Sequence, residues 1–278
     1  MLTVALSWVV WLGSVCMLLV VGIWVAWWSL LPLTPPQHVI QPYSLPSFLF
    51  PLKVLLFYIL IKFRKRTAGS TENAGYGTKS HGKQDLMERP QTLHSCPKAI
   101  DAVFFSGAAG GWGVILAMER RPNRLTSVVV YLKVPNTGVL TLPCHPDTVT
   151  FRSEDAEDSF SAAGLTISLL TPVKSWKLKF SGKLRLHDNP NDVPKDVKID
   201  LHWVSDLPLF DYDTDMDVMT TSKAFAREPW SRQYFQQLRE HHQTHYEQMG
   251  HLQGFVTLDG ESHNIHLPAF RDHSYGKT

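Results

Sequence analysis

The sequence has few cysteines and little net charge for a chain of 278 residues. Its formal net charge at pH 7 is only +2, which gives no indication of a nucleic-acid partner, and we expect none. Of its three cysteines, Cys16 lies in an apolar stretch, while Cys96 and Cys144 are far apart. This spacing predicts neither a disulfide framework nor a cysteine zinc site, and it favours a reducing compartment. The soluble part also lacks any Asn-x-Ser/Thr acceptor, which agrees with a cytosolic location.

Phosphate-binding loops are missing as well. The glycine-rich segment 107–113 lies between two strand-like segments, so a hairpin connection explains its glycines without a ligand. No glycine-rich loop follows a predicted strand and precedes a helix, as nucleotide-binding motifs require. We therefore expect no cofactor.

Charged residues are absent from residues 2–33, which are strongly apolar. This stretch exceeds the roughly 20 residues needed to cross the hydrocarbon core, and it predicts a transmembrane helix within residues 1–35. Trp24, Trp27 and Trp28 lie toward one end, where indoles favour the membrane interface. A cleaved signal peptide is disfavoured, because no basic residues precede the stretch and no Ala-x-Ala pattern follows it.

A second apolar run, residues 46–63, is shorter and contains Lys53. Its length leaves two alternatives open: a second span in which Lys53 snorkels, or a helix that lies in the interface. The basic residues at its end favour the cytosolic face and anionic lipid. They are Lys62, Arg64, Lys65 and Arg66. We expect a lipid bilayer as partner and a cytosolic soluble domain.

The composition becomes polar after this run. Residues 64–98 contain the basic cluster and then hardly any apolar residue, which predicts a flexible linker. Within residues 99–278, short apolar runs alternate with period two and are bounded by Gly, Pro and Asn. This pattern predicts a mainly antiparallel β domain.

One helix and one tight hairpin are predicted within that domain. The helix covers about residues 229–248, beginning at Pro229 and ending before Gly250. The dipeptide Asp259-Gly260 lies between two apolar runs and predicts the turn of a hairpin.

Three short motifs carry a resemblance to a known family. They are Trp230-Ser231-Arg232, His245-Tyr246-Glu247-Gln248 and, most specifically, Arg271-Asp272-His273-Ser274-Tyr275-Gly276. With them the sequence resembles the N-terminal region of animal phosphoenolpyruvate synthase-like proteins, which is related to the lipocalin-like domains of AttH and carotenoid hydratases. The resemblance implies an antiparallel lipocalin-like barrel or sandwich. Further strands normally follow the last motif, so we expect the β domain to be incomplete and its final hairpin to be poorly covered.

Two groups of residues suggest metal ligands. Asp211, Asp213 and Asp215 alternate as in a calcium loop, but Met216 occupies the place of the required glycine. His241 and His245 are four residues apart on the predicted helix, as zinc ligands would be, but no third ligand follows from the spacing. We expect a polar loop and structural histidines, and no metal.

Two interpretations remain for the C-terminal motif. Asp272 and His273 are weak catalytic candidates for an acid/base pair, although adjacent residues on a strand point to opposite faces. The favoured alternative is a buried network that holds the helix to the sheet, because charges survive burial only when paired. Its predicted members are Arg227, Trp230, Arg232, His245, Tyr246, Arg271, Asp272, His273 and Tyr275.

Together these patterns predict a membrane-anchored β domain with a binding or scaffolding role, and an apolar small molecule as a further partner. The resemblance implies a fragment or short form of a phosphoenolpyruvate synthase-like protein that lacks its catalytic domains, so we expect no enzymatic activity from this chain alone. Two alternatives stay open: part of an ATP-dependent phosphotransferase, or a lyase or hydratase acting on an isoprenoid-type substrate.

Overall fold

The computed structural model describes residues 15, 17–24, 47–67, 84–154, 158–189, 191–228 and 230–277. The chain forms two compact units, which we call the helical unit (Met1–Thr67 with Met216–Tyr234) and the β unit (Ala68–Asp215 with Phe235–Thr278). The predicted transmembrane helix of residues 1–35 lies mostly outside the described residues, of which 17–24 are helical. The other described helices are α1 (Phe50–Thr67), α2 (Gln84–Glu88), α3 (Val218–Arg227) and α4 (Arg232–Glu240).

In the helical unit, α1 packs along α3. Phe50 and Val54 of α1 are buried with Ala226 of α3, and the ring of Phe57 stacks on that of Phe225 with centroids 4.8 Å apart. The N-terminus of α3 is capped by Asp217, whose Oδ1 accepts a hydrogen bond from the Thr220 backbone N–H at 2.8 Å. This hydrogen bond lowers the pKa of Asp217 below its ordinary value.

Across the segments that the structure describes, no helix combines the length and the apolar character needed to traverse a bilayer.

The β unit contains twelve described strands, and every pairing between them is antiparallel. The predicted mainly antiparallel β structure is confirmed. The strands are β1 (Ala99–Ala109), β2 (Trp112–Arg120), β3 (Leu125–Val134), β4 (Gly138–Thr141), β5 (Val149–Phe151), β6 (Phe160–Ala162), β7 (Leu165–Thr171), β8 (Ser175–Leu186), β9 (Lys195–Ser205), β10 (Phe210–Asp211), β11 (Gln243–Leu258) and β12 (Glu261–Lys277).

Eight of these strands close into a ring in the order β11, β12, β1, β2, β3, β4, β8, β9 and back to β11. Burial alternates along the strands, so one side chain in two enters a core that includes Phe105, Trp176 and Trp203. Closure between β9 and β11 requires Gly250, because a Cβ there would clash with the Val204 carbonyl oxygen and the Trp203 indole.

The predicted exposure of the final hairpin is wrong. Strand β12 pairs with β1 on one side and with β11 on the other, and its residues Arg271 and His273 are buried. Strand pairing closes the ring within the described residues.

The predicted helix over 229–248 is also wrong in its second half. Helix α4 ends at Glu240, and from Gln243 the chain is strand β11, in which Thr244, Tyr246 and Gln248 are buried alternately. The helical spacing up to His245 was coincidental, because pairing with β12 decides the conformation of this segment. The predicted hairpin turn is confirmed, with positive φ at both Asp259 and Gly260.

Candidate functional site: a buried ionic network and a surface carboxylate pair

The β11–β12 hairpin presents two different sets of polar side chains on its two faces. Its register pairs Tyr246 with His273, Glu247 with Asp272, and Gln248 with Arg271. Because successive side chains of a strand point to opposite faces, the first and third pairs enter the core and the second lies on the outer face. Asp272 and His273, the weak catalytic candidates, are therefore on opposite sides of the sheet.

His273 lies at the centre of the buried set. Its Nε2 is 2.7 Å from Asp101 Oδ1, and its Nδ1 is 2.6 Å from the Tyr246 hydroxyl. The other carboxylate oxygen of Asp101 accepts a hydrogen bond from the Arg120 guanidinium at 2.5 Å. All four side chains are buried, so the Arg120 and Asp101 charges compensate each other away from water.

A second buried ion pair joins Arg271 and Glu88. Arg271 lies 2.9 Å from Glu88 Oε1, without the alignment of a hydrogen bond, and it donates to Gln248 Oε1 at 2.8 Å. Its guanidinium also lies 5.0 Å from the ring centroid of Trp203, within cation–π distance. Glu88 Oε2 accepts from the Trp176 indole N–H at 3.2 Å.

The end of α2 and the residues that follow it cover these buried charges. The Tyr246 hydroxyl donates to the Met87 carbonyl oxygen at 2.9 Å, and the Gln91 backbone N–H donates to Asp101 Oδ2 at 2.8 Å. The linker predicted for residues 64–98 thus contains a short helix and the fully buried Glu88. Its polar composition concealed this, because the segment is held mainly by hydrogen bonds and buries few apolar side chains, such as that of Met87.

The buried arrangement is suited to rigidity rather than to turnover. Asp101, Tyr246 and His273 have no exposed surface, so a substrate cannot reach them without opening the fold. Burial raises the pKa of the Tyr246 phenol well above its ordinary value, the negative charge of Glu88 raises it further, and Arg271 opposes both effects. Tyr246 therefore remains a neutral hydrogen-bond donor at physiological pH.

The other predicted network residues lie outside the buried set. Arg227, Trp230 and Arg232 belong to the helical unit, where the Trp230 indole donates to the Phe225 carbonyl oxygen at 2.9 Å. Tyr275 remains beside the buried set, with its ring centroid 5.2 Å from that of His273, and burial raises its pKa. His245 and Asp272 are on the outer face.

Sequence reasoning missed four members of the buried set: Glu88, Asp101, Arg120 and Gln248. A signal was present for two of them, since Asp101 and Arg120 are single charges at inward positions of apolar strands. An isolated charge in such a strand indicates a partner on a neighbouring strand. Glu88 gave no such signal, because it lies outside the predicted domain.

The aspartate loop and the histidines after α4 stabilise one another. The Asp213 backbone N–H donates to Asp211 Oδ1 at 2.9 Å, and the Asp211 N–H donates to Asp215 Oδ2 at 3.1 Å. Burial raises the pKa of Asp211. Asp213 Oδ1 lies 3.0 Å from His242 Nε2, and this hydrogen bond raises the pKa of His242.

The two histidines considered as zinc ligands are separated. His241 follows the end of α4, and its Nδ1 lies 3.1 Å from the Gln237 carbonyl oxygen, whereas His245 is on β11. His241 and His245 therefore do not lie on one helix, and helical spacing does not place them on a common face.

His245 instead meets two carboxylates on the outer face. Its Nε2 is 3.2 Å from Asp272 Oδ2 and 3.4 Å from Glu247 Oε1, and neither contact has hydrogen-bond geometry. Burial raises the pKa of Asp272, the charge of His245 opposes this, and the nearby Glu247 carboxylate raises it further. A hydrogen bond to Glu247 raises the pKa of the Tyr212 phenol. We call His245, Glu247 and Asp272 the outer cluster.

A separate concavity of about 390 Å³ is open to solvent in the β unit. Its lining includes two lysines and an aspartate. The lining residues are Ser181, Gly182, Lys183, Asp196, Val197, Lys198, Thr257 and Gly260.

Comparison with known proteins assigns the chain to a family. Residues 20–278 match the profile of a family of unknown function, DUF8627. The chain belongs to DUF8627. The buried network and the outer cluster both fall inside the matched range, so they are features of a DUF8627 member.

Beyond the DUF8627 profile, similarity is distant. The structure is similar to that of an AttH candidate from Nitrosomonas europaea, with 10% identity and a TM-score of 0.46, over 74% of this chain and 57% of the other. The chain thus spans little more than half of that protein, and so low a score carries no argument. No protein with a curated description matches. The predicted link to phosphoenolpyruvate synthase has no support in these comparisons.

Proposed function

We propose that this DUF8627 protein is a membrane-surface protein, in which α1 lies in the bilayer interface and the lipocalin-like β unit has a binding or scaffolding role. The observation that carries the proposal is the exposed apolar face of α1. The closed antiparallel ring supports the lipocalin-like description of the β unit.

Helix α1 is apolar on two faces. One face packs on α3 through Phe50, Val54 and Phe57. On the other face Leu52 is 53% exposed, Leu56 49% and Ile59 56%. Removing apolar surface from water is favourable by about 25 cal/mol per Å², so this face gains free energy from contact with acyl chains.

The charges of α1 fit an anionic surface. Its last turn contains the exposed residues Arg64, Lys65 and Arg66, with Lys62 just before it. Anionic headgroups attract such clusters on the cytosolic leaflet, so we place α1 on the cytosolic face of the membrane. Lys53, near the start of α1, is turned inward and donates to the Glu228 carbonyl oxygen at 2.8 Å.

We infer a binding or scaffolding role for the β unit, because Asp101, Tyr246 and His273 of its buried network have no exposed surface that a substrate could contact. An apolar small molecule is not part of the proposal. The ring interior contains Phe105, Trp176 and Trp203, all of them buried and packed together.

The test uses the full chain reconstituted in anionic vesicles that carry a photoactivatable lipid. Mass spectrometry should find lipid adducts at Leu52, Leu56 and Ile59. The exposed Phe255 of the β unit is a matched control and should carry none. Replacing the three α1 residues with Gln should abolish the adducts on α1, whether or not residues 1–35 carry lipid adducts.

Adducts confined to residues before α1 would overturn the interfacial position of this helix. The orientation is tested separately in sealed microsomes. Externally added protease should digest the β unit, and protection of that unit would contradict the cytosolic orientation.

A further inference from the structure

The outer cluster brings together three side chains that commonly bind metal ions. His245 and Glu247 are two residues apart on β11, so they share a face, and Asp272 is the register partner of Glu247 on β12. One donor atom from each side chain lies within 4.8 Å of the others. A single ion could contact all three without rearrangement of the strands.

The charge of the outer cluster is poorly compensated by its neighbours. Like charges directly opposite on paired strands are destabilising, and Glu247 faces Asp272 directly. The flanking register positions hold aromatic residues, with Phe210 of β10 beside Glu247 and Phe104 of β1 beside Asp272. His245 Nε2 is buried between the two carboxylates without a hydrogen bond to either.

We propose that His245, Glu247 and Asp272 form a binding site for a divalent transition-metal ion, with zinc as the expected ion. Zinc accepts one imidazole nitrogen and two carboxylate oxygens, and its charge neutralises the two carboxylates. Three protein ligands leave a fourth position for water or an exogenous ligand.

Tyr212 supports His245 from outside. Its ring centroid is 4.6 Å from that of His245. Its backbone N–H donates to the His245 carbonyl oxygen at 3.1 Å. Such partners orient metal ligands, and their loss typically weakens metal affinity about 10- to 100-fold.

The experiment uses the full, untagged chain in detergent after treatment with EDTA. Titration with zinc chloride in a calorimeter, with metal content measured by mass spectrometry, should show one bound zinc per chain. Glu247→Gln and Asp272→Asn should each weaken zinc binding by more than about 100-fold, beyond the loss of an outer partner. Tyr212→Phe should weaken it by about 10-fold.

The matched control is His263→Gln. His263 is also on this hairpin, 3.7 Å from the single carboxylate of Glu261. Its replacement should leave zinc binding unchanged. Circular dichroism of the zinc-free variants should show an unaltered fold, since the outer cluster is not part of the core.

Three results would overturn the proposal. These are a wild-type chain that takes up no zinc, carboxylate variants that bind it as tightly as wild type, and a loss in His263→Gln equal to that in the carboxylate variants. Tighter binding of calcium than of zinc would overturn the assignment of a transition metal.

Discussion

The two faces of the β11–β12 hairpin use similar residues in opposite ways. On the inner face, Arg271 and His273 each have a buried acidic partner, Glu88 and Asp101. On the outer face, two carboxylates share one imidazole. We infer from this difference that a charge in the core needs an oppositely charged partner within the fold. In the outer cluster, the proposed metal ion from solution would instead compensate the two carboxylates.

The largest effect is expected from Asp101→Asn. The substitution keeps the shape of the side chain but removes the buried counter-charge of Arg120, whose other carboxylate partner is the exposed Asp158 at 3.9 Å. Breaking one partner of a buried pair costs about 3–5 kcal/mol, so the free energy of unfolding of the chain should fall by that amount. Urea unfolding followed by tryptophan fluorescence measures it. A loss below about 1 kcal/mol would show that the inner face does not depend on compensation.

A smaller loss is expected from Tyr246→Phe. This variant removes the hydroxyl that contacts His273 Nδ1 and the Met87 carbonyl oxygen, but it retains the packing of the ring. Leaving a buried polar group without its partner costs about 1–3 kcal/mol, which urea unfolding would again detect. Tyr131→Phe, on a half-buried tyrosine of β3, is the control and should change stability less. Equal losses in the two variants would contradict a special role for the buried hydroxyl.

The pair of His242 and Asp213 is half-buried, so its exposure to water lies between that of the buried inner face and that of the outer cluster. The pKa of His242 is raised in the folded state. Its contribution to the free energy of unfolding is therefore complete below the unfolded pKa near 6.5 and is lost as pH rises through the folded pKa. His242→Gln should therefore destabilise the chain at about pH 5, by no more than about 1 kcal/mol, and less at about pH 8. Thermal unfolding at both pH values is the measurement, and a larger difference at the higher pH would contradict the assigned sign.

The smallest effect is expected from Asp272→Asn in the absence of zinc. This substitution removes one of two opposed carboxylates at a half-exposed position, so stability should change by no more than about 0.5 kcal/mol. It is the same chemical change as Asp101→Asn, made on the opposite face of the sheet. A loss comparable to that of Asp101→Asn would mean that both faces are structural, and it would weaken the distinction between them.

The alternating runs between residues 99 and 278 correctly predicted antiparallel strands, and Asp259-Gly260 correctly predicted the hairpin turn. Both signals are local, since alternation and positive φ depend on neighbouring residues. The alternation also showed that Asp272 and His273 point apart. It could not show their partners, because Asp101 lies 172 residues from His273 in the chain.

Two features were not foreseen from the sequence, the strand conformation of residues 243–248 and the burial of Glu88, and both have the same cause. The segment from Gln243 to Gln248 carries good helix formers, yet it is a strand because β12 lies beside it. Glu88 lies in a polar segment, yet it is buried because Arg271 and the Trp176 indole meet it there. In both cases long-range pairing overrides local composition.

The sequence by itself determined where the apolar helical and the β-forming parts of this protein lie, and which face each residue of a strand takes, because these depend on local periodicity. Only the tertiary structure decided that eight strands close into a ring, that Glu88 and Asp101 neutralise Arg271 and Arg120 inside it, and that His245 meets Glu247 and Asp272 outside it. Strand register sets those distances, and register depends on pairing between distant segments of the chain.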